Sequence, residues 1–413
     1  MKVQTLKGFR DFLPSEAKKR QWLINILISV FESYGFEPLE TPALEYEEIL
    51  LGKYGDEGDK LMYRFKDRGG RKVALRYDQT VPLARVVAQY QNDLPIPFKR
   101  YQIQNVWRAE NTQKGRYREF LQVDADIVGS ESALSDLEIL SCVNTSLKNL
   151  GFKDFTILVN DRRIFERLKI SLEVIRVLDK EDKIGTDKMF KEMTEIIGSD
   201  EEAKISYEKI INVRSKDYPE SFQEILERSE DLNLFLMPSS KLARGLDYYT
   251  GLIFEVRIPK YKGGSVCGGG RYDRLIGMFT GKDIPAVGFS FGFDRLIEAM
   301  EELKLFPDEI SESKVNVLVT IFNNDLKEKS LGVYSFLRNA NVNCEIYLPA
   351  GKAGLDENTP LEKQLKYADK KGIPYTIIIG PEEIKNNAVT LKNMKTGEQK
   401  RIVIEKIKEA TTI

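Results

Sequence analysis

Residues 97–110, PFKRYQIQNVWRAE, and residues 116–129, RYREFLQVDADIVG, are two strand-like runs separated by the polar stretch Asn111–Gly115. Side chains repeat every two residues along a strand, so runs of this kind joined by a short polar loop predict an antiparallel hairpin. Arg108 then stands on the first strand, and Lys114, Arg116 and Arg118 lie in or just beyond the connecting loop, where their charges converge with it. A guanidinium offers a fixed fork of donors that fits phosphate oxygens two at a time. A solvated hairpin face would carry the same charges, so the cluster by itself leaves both readings open.

Around this hairpin the pattern is β-rich. Residues 60–78, KLMYRFKDRGGRKVALRYD, alternate about Arg68-Gly69-Gly70 and read as a second hairpin. Upstream, Trp22, Leu23, Ile26, Leu27, Val30 and Phe31 recur at helical spacing between Pro14 and Gly35, predicting an amphipathic helix over Ser15–Tyr34. A short strand is expected at Phe36–Leu39. From Arg162 to about Leu232 the texture changes to charged segments of helical period with few turn residues, a helical insertion between two parts of the β-rich domain. Strand character returns in DYYTGLIFEVRI, continues through Gly263–Gly270 and ends in PAVGFSFGFDRLIEAM, a strand running into a helix.

Beyond Phe306-Pro307 and a polar linker, strand and helix patterns alternate: VNVLVTIF, LKEKSLGVYSFLRN, CEIYL, LEKQLKYADKKG and YTIIIG, then a hairpin about Lys395-Thr396-Gly397. That order predicts a small α/β domain on a largely parallel sheet. The expected boundaries are 1–160 with 233–307 for the β-rich core, 161–232 for the insertion and 308–413 for the C-terminal domain.

Composition narrows the chemistry. The chain has 413 residues and not one histidine. Imidazole general bases, Ser-His and Cys-His nucleophiles and His-rich zinc sites are all excluded. Three cysteines, Cys142, Cys267 and Cys344, are too few and too far apart for a disulfide framework or C-x-x-C chemistry, so reduced thiols are expected. No run approaches the ~18 apolar residues needed to cross a bilayer, and the N-terminus has no signal-peptide core. Net charge is −1, but Lys314–Ile413 holds 16 Lys and Arg against 12 Asp and Glu, a local +4. Contact with nucleic acid would have to use such local patches.

Two further segments carry chemistry. RGLDYYTG, 244–251, sets an arginine and two tyrosines before a strand, which suits a polar pocket as well as a core strand with one surface arginine. GGGRYDRL, 268–275, signals tight turns or close backbone approach. No Gly-Lys-Ser/Thr follows, so it is not a Walker loop, and the dinucleotide-binding order of strand, glycine turn, helix and acid is missing.

Together these segments resemble the histidyl-tRNA synthetases, class II aminoacyl-tRNA synthetases. WRAENTQKGRYREFLQ (107–122) is similar to their motif 2, LARGLDYYTGLIFE (242–255) and CGGGRYDRL (267–275) to their two histidine-specific segments, and PAVGFSFGFDRL (285–296) to motif 3. KGFRDFLP (7–14) and TPALEYEEIL (41–50), with the motif 1 proline Pro42, fit as well, and the likeness runs from about Lys7 to Lys408. RGLDYY comes close to naming the family.

The resemblance implies an α+β catalytic domain on an antiparallel sheet with a helical insertion, and a C-terminal α/β anticodon-binding domain. It implies ATP as substrate with Mg²⁺, L-histidine and tRNA(His) as partners, a cytoplasmic homodimer, and no metal held by the protein itself. Arg108 corresponds to the residue on the α-phosphate and the amino-acid carboxylate, and Glu110 and Phe120 to the adenine pair. Arg116 and Arg295 correspond to the γ-phosphate grip, and Arg244 to the arginine that stabilises the attack. Asp78, Thr80 and Gln122 would hold the α-amino group, Asp126 and Tyr249 the imidazole, with Tyr248 beside them; the Asn111–Gly115 loop would meet the acceptor end of the tRNA. Asp78 and Asp126 replace glutamates of a common bacterial form, and Leu121 stands where histidine is frequent; the shorter carboxylates also occur in eukaryotic-type members. The rival readings are the regulatory subunit of ATP phosphoribosyltransferase, which shares the core but lacks reactive positions and the C-terminal domain, and an RNA-binding or processivity module on the same fold.

Overall fold

The stretch 97–129 forms two ten-residue strands, Phe98–Trp107 and Glu119–Val128, paired antiparallel. Even-numbered residues meet on one face: Arg100 lies opposite Asp126, Gln102 opposite Asp124 and Gln104 opposite Gln122. Odd-numbered residues on the other face, among them Tyr101, Val123, Ala125 and Ile127, enter the main hydrophobic core. The helix Pro14–Ser33 lies against that apolar face, with Phe31 5.7 Å from the Tyr101 ring and 5.8 Å from Phe289. Fully burying a side chain such as Phe31 contributes about 1.5–3 kcal/mol relative to leaving it in water. The helix Ala133–Asn149, capped at its start by the Ser132 hydroxyl, supplies Leu137, Leu140 and Val143 to the same core.

The computed structural model describes residues 2–112, 115–244, 248–310, 313–349 and 359–411. It divides into two units, Met1–Phe306 and Pro307–Ile413. Numbered along the chain, the strands of the first unit are β1 (Glu37–Pro38), β2 (Leu44–Tyr46), β3 (Arg64–Lys66), β4 (Lys72–Leu75), β5 (Phe98–Trp107), β6 (Glu119–Val128), β7 (Thr156–Asp161), β8 (Leu236–Pro238), β9 (Leu252–Arg257), β10 (Cys267–Arg271) and β11 (Ala286–Gly292). An eight-stranded sheet has the order β1-β5-β6-β11-β10-β9-β7-β8, antiparallel except where β1 joins β5 and β8 joins β7. The expected hairpin at Arg68–Gly70 joins β3 to β4 in a separate sheet of order β2-β4-β3.

The charged segment after Asp161 forms six α-helices and one 3-10 turn between Arg163 and Asp231. It leaves β7 and returns at β8, its parallel neighbour, so it is a long crossover at the sheet edge. Its apolar stripes, Phe165, Val174, Met189 and Phe222, join the core beneath the large sheet.

In the second unit, β12 (Val317–Val319), β13 (Cys344–Ile346), β14 (Tyr375–Ile378), β15 (Ala388–Asn393) and β16 (Gln399–Val403) order as β13-β12-β14-β15-β16. Here the expectation of a largely parallel sheet needs correction: β13, β12 and β14 are parallel, but the closing hairpin adds two antiparallel strands, because a short turn can return a chain only antiparallel. Alternation again sorts the faces. Val317 and Val319 pack with Val333 and Leu337 of the helix Lys327–Asn339, while Leu318 packs with Ala368 of the helix Leu361–Lys371.

Candidate active site

The polar face of β5 and β6 continues across β11 and β10, and strand register sets its residues in rows. In one row Gly270, Gly288, Asp126 and Arg100 stand side by side; in the next come Gly268, Ser290, Asp124 and Gln102; in the third Gly292, Gln122 and Gln104. The glycines are places of close approach. A Cβ on Gly268 would strike the guanidinium of Arg244, and one on Gly270 would come within 2.9 Å of the Tyr249 ring. Arg244 and Tyr249 therefore lie on bare stretches of β10, across β11 from Asp124 and Asp126. This gives the glycine run a physical reason that composition alone left open.

Arg244 is held by Glu255, with Nη1 3.3 Å from Oε1, while its Nε is buried without a hydrogen bond. Tyr248 and Tyr249 sit with ring centroids 5.0 Å apart, and Tyr248 is hydrogen-bonded to Thr80. Asp78, at the approach to the helix Thr80–Tyr90, accepts on Oδ1 from the Tyr54 hydroxyl at 2.9 Å and from the Val81 N–H at 3.1 Å. Burial raises the Asp78 carboxyl above its ordinary pKa, against the pull of these donors and of Arg108 and Arg100.

At the hairpin end, Arg108 donates from Nε to the Tyr77 carbonyl at 3.1 Å and lies over the rings of Tyr77 (4.4 Å) and Phe120 (5.2 Å). Arg116 pairs with Glu110 at 3.4 Å, so two expected nucleotide contacts hold each other. Arg118 donates from Nε to the Glu110 carbonyl instead of pointing at the cluster, and Lys114 lies outside the described residues. Arg295, in the first turn of the helix Phe293–Glu302, donates to the Ser265 carbonyl at 3.0 Å. Its neighbour Asp294 is gripped at 2.8 Å by both Arg10 and Arg20, which ties the N-terminal KGFRDFLP segment to this helix. The hairpin reaches the same place: a Cβ on Gly115 would be 3.7 Å from Glu298, one turn beyond Arg295. The guanidinium groups from distant segments thus share one face and its hairpin end.

A family model described as histidyl-tRNA synthetase matches residues 8–296, and an anticodon binding domain model matches residues 316–411. The chain belongs to the histidyl-tRNA synthetase family. Among curated relatives, the histidine–tRNA ligase of Wolinella succinogenes is 41% identical, over 96% of this chain and 95% of its own. That of Cytophaga hutchinsonii is 37% identical over 97% of each. The solved histidyl-tRNA synthetase of Nostoc sp. PCC 7120 superposes with a TM-score of 0.79 at 31% identity, over 99% of this chain and 100% of that one. Two modules of an aminoacyl-tRNA synthetase are therefore present in one chain.

Within the synthetase frame, sequence reasoning missed Arg100, Asp124, Tyr272 and Tyr54. Arg100 is completely buried and forms an ion pair with Asp126 at 2.7 Å, while the Tyr272 hydroxyl donates to the other oxygen of that carboxylate. Asp126 is thus hydrogen-bonded on one oxygen and ion-paired, without an aligned hydrogen bond, on the other. The available signal was register: Arg100 and Asp124 fall on the same even-numbered face as residues singled out beforehand.

Proposed function

We propose that this chain is a histidine–tRNA ligase: it joins histidine to ATP as histidyl-adenylate, releases pyrophosphate, and passes the histidyl group to the 3′ end of tRNA(His). The observation that carries the reading is the set of rows on the eight-stranded sheet, which puts Arg244, Tyr249, Asp126, Gln122, Phe120 and Arg108 on one face. Relatives matched over nearly their whole length, with both modules present, favour it over a regulatory subunit lacking the C-terminal domain.

Adenylation is an in-line attack of the histidine carboxylate on the α-phosphate. The carboxylate is already ionised, so no general base is required and a chain without histidine loses nothing. Arg108 aligns the carboxylate and α-phosphate, and Arg244 offsets charge as it develops between them. Phe120 stacks on adenine while Glu110 accepts from it; Arg116, released from Glu110, grips the γ-phosphate with Arg295. Asp78, Thr80 and Gln122 take the α-ammonium, and the pocket of Asp126 and Tyr249, with Tyr248 beside it, takes the imidazole. Magnesium enters with the triphosphate as part of the substrate, where one or two carboxylates and phosphate oxygens suffice.

The same reading assigns residues 1–160 and 233–307 to the catalytic core, 161–232 to the insertion and 308–413 to anticodon binding, in a cytoplasmic homodimer. The test is histidine-dependent ATP–pyrophosphate exchange against the other nineteen amino acids. A site built on paired hydrogen bonds should favour histidine by roughly 10⁴-fold over analogues lacking them; exchange with another amino acid at equal efficiency would end the proposal.

A further inference from the structure

We infer that Asp124 is a further carboxylate that accepts an N–H of the bound amino acid, beside Asp126, which Arg100 and Tyr272 hold in place; this rests on the histidine-activating reading above and deepens it. Asp126 has a partner on each oxygen, Oδ1 through a hydrogen bond from the Tyr272 hydroxyl and Oδ2 through the ion pair to Arg100 at 2.7 Å, a contact not aligned as a hydrogen bond. Asp124 stands two residues away on the same face of β6 and is only 3% exposed. One of its oxygens is met by the Ser290 hydroxyl, and Oδ1 has no hydrogen bond at all. A buried carboxylate oxygen without a donor is costly unless the functional state supplies one. On the same face Gln122 Oε1 is also buried without a donor, and Asp126 Oδ2 has only its ion pair to Arg100, so the adjacent rows of Gln122 and Asp124 present acceptor atoms with neither hydrogen bond nor ion pair.

Position selects the donor. Asp124 lies between Gln122, proposed for the α-ammonium, and Asp126, in the row of Tyr249; successive residues on one face of a strand are about 7 Å apart. An L-histidine laid along β6 therefore carries its N–H groups past Asp124, with Arg244 on the far side of Ser290.

Charge fits as well. Facing Asp124 are Arg100 and Gln102 from β5, Asp126 from its own strand, Ser290 from β11, Tyr249, and Asp78 and Arg76 from the segment after β4; the Cys267 thiol of β10 lies behind the sheet in the apolar core. The nearest cation, Arg100, is already paired to Asp126. Burial consequently lifts Asp124 to about 7, with Asp126 and Asp78 pushing the same way and Arg100 and the Ser290 hydroxyl pulling it down. The empty pocket holds a proton on Asp124 part of the time near neutrality. A substrate N–H donor favours the ionised form, so histidine binding releases that proton, and binding weakens as pH falls below about 7.

The test is titration calorimetry of L-histidine into the full-length protein at pH 7 in two buffers of different ionisation enthalpy, for wild type and Asp124→Asn. It is joined to KM values for histidine and ATP from pyrophosphate exchange between pH 6 and 8. Wild type should release protons beyond those the substrate's own imidazole accounts for, and Asp124→Asn should abolish that excess. The variant should raise the histidine KM about 10-fold or more, the scale of losing a hydrogen bond to a charged group, and leave the ATP KM within about 2-fold. Its histidine KM should also rise less steeply than wild type's as pH falls. Unchanged proton release and histidine KM would overturn the assignment, leaving only solvent at Oδ1. Equal losses for histidine and ATP together with a lowered Tm would overturn it in favour of a purely structural role. Wild type that binds no histidine would remove this inference and the proposed function together; wild type that binds it, beside an unaffected Asp124→Asn, removes this inference alone.

Discussion

The two large sheets of this chain bury their polar groups in opposite ways. Among the described residues of the unit with the five-stranded sheet, the buried polar side chains are Thr320, Ser330, Gln364 and Thr376, all uncharged. Three of them bond to backbone groups: the Thr320 hydroxyl donates to the Ile377 carbonyl, Ser330 to the Thr320 carbonyl, and Gln364 spans both backbone groups of Ile321. In the unit with the eight-stranded sheet, Arg76, Asp78, Arg100, Asp124, Asp126, Asp136, Asp161, Arg162 and Arg271 are buried, and some of their atoms have no hydrogen bond. Burying an ion costs several kcal/mol even after relaxation. The smaller sheet carries less of that burden: on its Glu345 one buried oxygen, Oε1, has no hydrogen bond while Oε2 is paired with Lys371. On the face of β5 and β6 this buried charge is concentrated and partly unpaired, in Arg100, Asp124 and Asp126, as expected of the face proposed to take a charged substrate.

The contrast can be broken by mutation, with pyrophosphate exchange as a common measure. Arg244→Ala should lower exchange by at least ~10²-fold, the usual result of losing one preorganised donor, with a smaller change in ATP binding. Exchange at the wild-type rate would show that the buried guanidinium is structural. Asp126→Ala should raise the histidine KM by about 10-fold or more while sparing ATP. Because it strands Arg100, it should also lower stability by about 3–5 kcal/mol in urea unfolding; equal effects on both substrates with unchanged stability would refute both roles.

Gly268→Ala puts a methyl where the Arg244 guanidinium lies, so kcat should fall about 10-fold from a misplaced donor, while Tm changes little. An unaltered kcat would show that Arg244 tolerates displacement. Smallest on this scale is deletion of Lys314–Ile413: exchange should stay within about 2-fold, whereas tRNA charging falls and its salt dependence changes. Charging kinetics that survive the deletion would cancel the division of labour between the two sheets.

Much of this was legible in the chain itself. The two strands of the hairpin, the 68–70 turn, the helix ending at Gly35 and the strand–helix alternation after Phe306 all follow from periods of two and 3.6 with Gly and Pro as punctuation. Family likeness singled out Arg108, Arg244 and Arg295, and the proposed function adopts their roles. Three things were not legible. The parallel share of the smaller sheet was overstated, since its last hairpin counts against it. Arg116 rests on Glu110, and Arg118 turns to a backbone carbonyl, because alternatives that short-range spacing cannot rank lie within reach. The weight placed on Asp126 overlooked Arg100, twenty-six positions earlier in the chain, which no local pattern singles out.

By itself the sequence determined the elements, the faces they bury and the family, because backbone preference and hydrophobic period act between neighbours. Which carboxylate is paired with Arg100 and which keeps an oxygen without hydrogen bond or ion pair was decided only when β5, β6, β11 and β10 came into register. Pairing and desolvation are properties of a place in space, and residues far apart in the chain create that place.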